Sequence, residues 1–172
     1  MVGLERGTVE LEPYDPAWRE AYETEVECLR TIVGGRVRSF EHVGSTAVEG
    51  LPAKPVVDLL AVVDDPDETD TLVDVLESNG YEHRPNDDVP DRVFLAKGPP
   101  ENRTHYLSLV ERDSDCYREQ VAFRDHLREH PNVAEEYAGL KRELAAEHGD
   151  DRAAYTAKKS AFVEQILDDA TE

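Results

Sequence analysis

The stretch that most constrains the fold is Val56–Val63 (VVDLLAVV), an apolar run broken by one acid. A run of this kind reads as a buried strand, sitting inside a sheet rather than at its edge. Burying Asp58 there without a partner is costly, so its charge needs a metal, a cation or hydrogen-bond donors. One alternative is a buried ion pair with Lys54 or an arginine.

The rest of the chain builds a mixed architecture around that strand. Asp15-Pro16 opens a helix, with Asp as the cap and Pro in the first turn. Trp18, Tyr22, Val26, Leu29 and Val33 form its core stripe, and Gly34-Gly35 ends it. Arg36–Val43 alternates as a strand, and Gly44-Ser45-Thr46 is a turn. Asp67–Ser78 reads as a helix and Tyr81–Pro90 as a short strand and loop. Arg92–Ala96 and His105–Glu111 read as two further strands. Helices follow at about Ser114–Glu129, Pro131–Glu147 and Arg152–Ala170, separated by His130-Pro131 and Gly149-Asp150. The predicted class is α+β in one domain, 1–172. Residues 1–111 form a sheet of four or five strands with its helices, and residues 112–172 form a helical half. Cys28 reads as a small buried apolar residue.

Charge narrows the possible partners. The chain has 39 acids against 19 bases, a net charge of −20. That excludes a general nucleic-acid binder, which needs an excess of Lys and Arg, and argues against an anionic membrane surface. No apolar run approaches a membrane span and no signal peptide is visible, so the expected location is cytoplasmic. Two cysteines are too few for a disulfide scaffold. The acids are spread along the whole chain, which suggests a surface built for molar salt, where self-repulsion is screened. A halophilic archaeon is the expected source. The alternative is an acidic mesophilic protein with a basic partner.

The chemistry concentrates in His42–Val63. A Gly44-Ser45 turn lets backbone N–H groups and a hydroxyl approach a phosphate. Asp58, on the following strand, can hold Mg²⁺ against the same phosphates. The plain alternative for Gly44-Ser45-Thr46 is an ordinary turn with a hydroxyl cap. His42 precedes the turn and is a candidate phosphate contact. His105, on a strand, is a candidate metal ligand or general base. Either histidine reads equally as a satisfied core residue. Lys54 is a candidate phosphate contact, or an exposed side chain with its stem on apolar surface. Arg124 and Arg128, one helical turn apart, can line a pocket or pair at the surface with Asp125 or Glu129. Lys158 can point into the cleft or snorkel.

Several blocks in order carry a resemblance: YDPAW (Tyr14–Trp18), HVGSTAV (His42–Val48), GLPAKPVVD (Gly50–Asp58), FRDHLREHP (Phe123–Pro131) and YTAKKSAF (Tyr155–Phe162). Together they resemble the GrpB family, assigned to the nucleotidyltransferase superfamily. The resemblance implies a nucleotidyltransferase-like mixed sheet flanked by helices, and a nucleotide or other phosphorylated small molecule as partner. It implies a Gly-Ser turn followed by a strand with two acids at alternate positions. Gly44, Ser45 and Asp58 match that pattern, but the second acid position holds Leu60. Similar proteins often carry a second histidine where this chain has Ser108. A Mg²⁺-dependent nucleotidyl transfer is therefore one expectation. The other is a non-catalytic module that kept the fold and lost the second acidic ligand, binding a nucleotide or, through the helical C-terminal half, another protein.

Overall fold

Five strands form one sheet. The computed structural model describes residues 11–85, 91–148 and 152–171. The strands are β1 (Ser39–Val43), β2 (Val57–Val62), β3 (Tyr81–His83), β4 (Arg92–Lys97) and β5 (His105–Val110). The helices are α1 (Ala17–Val33), α2 (Thr69–Glu77), α3 (Asp115–Glu129), α4 (Pro131–His148) and α5 (Arg152–Thr171). In the order β1-β2-β5-β4-β3 the sheet is mixed: β2 runs parallel to β5, and the other pairings are antiparallel. The α+β class and the helical C-terminal half match the sequence reading.

The apolar run becomes a central strand, as its composition requires. Strand residues alternate between faces. Leu59 and Ala61 face α1 and α2, in a core with Leu29, Leu72, Leu76, Leu107 and others. Leu60 and Val62 face the other way, packing with Val43, Val110 and Cys116 of α3. A separate cluster joins Val48 and Leu51 to Phe123, Leu127, Tyr137 and Ile166. That second cluster ties the turn after β1 to the three C-terminal helices.

Element ends follow local chemistry. The Asp15 carboxylate accepts the Ala17 N–H (2.9 Å), so the cap lies where the sequence placed it. Ser114 caps α3 by accepting the Tyr117 N–H. Strand β1 starts at Ser39 rather than Arg36, because Gly34–Arg36 form a 3₁₀ turn that begins with Gly34 at φ +60°. Cys28 is exposed, not buried, because it points off the core stripe of α1. The expected Gly149-Asp150 break and the loop through 86–90 lie outside the described residues.

Candidate functional site

The turn after β1 and the acid on β2 are pressed together. Val43 pairs with Asp58 across the strands. Gly44 follows at φ +75°, and a Cβ there would lie 2.5 Å from the Asp58 carboxylate. Glycine is needed on both counts, for the backbone conformation and for the space. Ser45–Ala47 then form one 3₁₀ turn. Ser45 faces the Tyr137 hydroxyl, which reaches in from α4.

Lysines gather around this point. The chain contains five, and three of them, Lys54, Lys159 and Lys141, act on Asp58 together with Arg92. The Lys54 and Lys159 ammonium groups lie over the Tyr155 ring, at 5.8 and 5.7 Å. Lys141 lies 5.3 Å over the Tyr137 ring and donates to the Pro52 carbonyl (2.8 Å). It is 2% exposed. Burial, with Lys159 and Lys54 nearby, holds its ammonium well below the usual lysine range. Burial pushes Asp58 up to about 6, although the four cations oppose the shift. The Asp58 carboxylate makes no hydrogen bond or ion pair with another described residue; its cations act at a distance. The buried Tyr155 hydroxyl also has no partner among the described residues, and burial raises it to about 12.

This donor set does not fit a Mg²⁺ ion held by the protein. A hard divalent cation wants several oxygen ligands. The alternate position on β2 is Leu60, 1% exposed in apolar contact. No group of three metal-ligating side chains occurs among the described residues. The charges near Asp58 are ammonium and guanidinium groups, which repel a metal ion and attract an anion.

The predicted residues do not all converge. Gly44, Ser45, Lys54 and Asp58 come together. His42 and Thr46 do not join them. His42 pairs with Leu59 across the sheet and so projects from the face opposite Asp58. There it bonds the Thr46 hydroxyl (2.9 Å) and stacks on Tyr22 at 4.6 Å. Burial, then Arg128 and Arg124, hold His42 down at about 3, so it is neutral. Arg124 is buried, bonding Glu41 (2.8 Å), the His42 carbonyl and Asp125. Arg128 donates twice to the Ala47 carbonyl (3.0 and 2.7 Å). All four line a cleft of about 820 Å³ around the open edge of β1.

His105 is the clearest correction. Strand β5 does lie beside β2, as expected, but Tyr106 is the residue opposite Asp58. His105 therefore points to the α1 face, where Nε2 sits 3.5 Å from Glu25 and Nδ1 2.8 Å from the Thr104 hydroxyl. Lys158 is also corrected: it is exposed, and its neighbour Lys159 faces the site. The sequence reading missed Lys141, Lys159 and Arg92. The scarcity of lysine was the available signal.

A family profile described as GrpB protein matches residues 8–169. The glutamate-rich protein GrpB of Alkalihalophilus pseudofirmus is 34% identical over 98% of this chain and 99% of its own length. The crystal structure of conserved protein GrpB from Enterococcus faecalis has a TM-score of 0.86 and 36% identity, covering 94% of this chain and 96% of that one. The UPF0157 protein YqkA of Bacillus subtilis is 32% identical over 94% of the chain, which spans about half (47%) of that relative. A dephospho-CoA kinase of Mycobacterium bovis is similar over 81 residues at 35% identity, 45% of this chain and 20% of that enzyme.

Proposed function

The chain belongs to the GrpB family, and we propose that it binds a nucleotide, or another phosphorylated small molecule, over the Gly44-Ser45 turn and the lysines around Asp58. The carrying observation is the concentration of charge. A chain with 39 acids places three of its five lysines around one carboxylate. Lysine binds phosphate as a point charge, and Lys54 and Lys159, held over Tyr155, are the direct contacts. The Ser45 hydroxyl adds a donor. The similarity to part of a dephospho-CoA kinase makes dephospho-CoA a natural probe beside ATP.

If the site is catalytic, an acceptor hydroxyl takes a nucleotidyl group from a bound nucleoside triphosphate, releasing pyrophosphate, or a phosphoryl group, releasing the nucleoside diphosphate. Asp58, pushed up to about 6, is suited to take a proton from an acceptor hydroxyl. The lysines would stabilise charge on the phosphates. Leu60, buried where the superfamily pattern has an acid, favours the second reading: a nucleotide-binding module without transfer. Both readings share the binding site, and the superfamily assignment belongs with this proposal. Magnesium enters neither as a group resident on the protein. We also infer adaptation to salt and a cytoplasmic location. The salt reading rests on the −20 charge, and the relatives named above are bacterial.

The test is calorimetric titration of ATP and dephospho-CoA, in low salt and in molar KCl, with and without Mg²⁺. Binding that weakens at least tenfold in Lys54→Gln/Lys159→Gln supports the site. Formation of a nucleotidylated or phosphorylated product from added acceptors separates the enzyme from the module. A folded protein that binds neither probe in either salt sinks the proposal.

A further inference from the structure

The cleft at the β1 edge is separate from the Asp58 cluster and has its own charge pattern. The turn forms the wall between them, with Ser45 towards Tyr137 and Thr46 towards His42. Two of the cleft's arginines are neutralised within it. Arg19 pairs with Glu23 (3.2 Å), and Arg124 with Glu41 (2.8 Å). Four other charged residues line the same space: Arg128, Arg142, Glu49 and Glu135. All four are exposed, and none has an ion-pair partner among the described residues. Between them lies an apolar floor that includes Leu51, Leu127 and Ala138, with the stacked Tyr22–His42 pair at one side. A cleft of about 820 Å³ is within the range that takes a small molecule.

We propose that this cleft binds a zwitterionic small molecule, with its acidic group on Arg128 and Arg142 and its ammonium group on Glu49 and Glu135. A simple anion leaves two glutamates facing it, and a simple cation leaves two arginines. Only a ligand carrying both charges answers all four. Glu135 and Arg142 stand seven residues apart on α4, roughly 10 Å along the axis. The two poles are therefore well separated, as in an extended tripeptide or a long aminoalkyl phosphate rather than a single amino acid. Arg128 already gives Nε and Nη2 to the Ala47 carbonyl, so it adds its remaining donors while Arg142 supplies the fork; a guanidinium fork takes carboxylate or phosphate, so the acidic pole can be either. The proposal stands apart from the phosphate site at Asp58. If both hold, the cleft is where a second reactant or an effector sits, one turn away from the first.

The probes are trialanine for a carboxylate pole and 6-aminohexyl phosphate for a phosphate pole. N-acetyl-trialanine and trialanine amide each lack one pole. Binding is followed by ¹H–¹⁵N NMR of the 47–51 backbone amides and the Arg128 Nε–H. At least one zwitterion should shift these resonances, and the pole-blocked analogues should bind at least tenfold more weakly. Arg142→Gln and Glu135→Gln, both at exposed positions without partners, should each weaken binding about fivefold, a modest loss for one charged contact. Lys54→Gln/Lys159→Gln should leave it unchanged, which separates this outcome from failure of the phosphate site. Binding that ignores pole blocking, or no shift from either zwitterion in a folded protein, overturns the proposal.

Discussion

Two acids, Glu25 and Asp58, sit on opposite faces of the same sheet with nearly the same neighbours. Each has lysine nearby and an aromatic ring within reach. Glu25 is closed: Lys97 donates to both its oxygens at 2.7 Å, and His105 stands 3.5 Å away. Asp58 is open: its cations act at a distance, and no described side chain bonds it directly. The consequence appears in its titration, since burial drives Asp58 to about 6 despite four positive groups. The same inventory thus makes a structural brace on one face and an unfinished site on the other. A group left short of its bonds in the folded state is one that a ligand can complete.

The comparison breaks first at Glu25. In Glu25→Ala the Lys97 ammonium loses both its acceptors in a half-buried setting. We expect a loss of about 3 kcal/mol, the scale for removing one partner of a buried pair. Urea denaturation measures it, with phosphate binding at the other face unaltered. A negligible loss would mean that Lys97 reaches water easily and that the pair is no brace.

At Asp58 the sign reverses. Its folded pKa of about 6 lies above the ordinary value of 3.8. The charged form is therefore disfavoured by folding. This group costs stability as pH rises from about 4 through 6, and the cost is constant above that. It is on the order of 3 kcal/mol. Asp58→Asn should be more stable than the parent at pH 7 by about that much, and no more stable below pH 4. A thermal-melt series across pH reads the difference. Destabilisation by Asp58→Asn at pH 7 would show that the lysines need this carboxylate, making Asp58 a brace like Glu25.

Much of this was legible in the sequence, for identifiable reasons. The ten helices and strands fell close to their expected positions, because their patterns were strong and their ends carried Gly, Pro or a capping residue. The Gly44–Asp58 contact was legible because a turn feeding a buried acid has few other uses. What failed was facing. His42 was placed in the site by its nearness to the turn, His105 by the pairing of its strand with β2 and Lys158 by its helix, but each points elsewhere. A one-residue step reverses direction on a strand, and on a helix it rotates the side chain by about 100°. Lys141 and Lys159 were missed because long, Ala- and Glu-rich helices show little pattern at a single position. Only the scarcity of lysine marked them.

The lysine pair sharpens the comparison at lower energy. Lys159 lies over Tyr155 and acts on Asp58, while Lys158 is exposed. Lys159→Gln should weaken ATP binding about tenfold, roughly 1.4 kcal/mol, with the melt little changed. Lys158→Gln should leave affinity within twofold, because an exposed charge is largely screened. Equal losses in both would mean that the helix contributes general charge rather than a placed contact.

The smallest effect expected is at His105, and it decides whether the two faces are separate. Strand alternation puts Tyr106, not His105, beside Asp58. His105 adds only a long contact to an acid already satisfied by Lys97. Burial lowers its pKa, against the pull of Glu25, so at neutral pH the ring is uncharged and acts as a spacer. His105→Gln keeps a polar group for the Thr104 hydroxyl and should cost about 1 kcal/mol or less. ATP affinity and its pH profile should not move. A loss of binding, or a changed pH profile, would place His105 in contact with the reacting face. The sheet would then be transmitting what the alternation of β5 forbids the side chain to reach directly, and the division between brace and site would not hold.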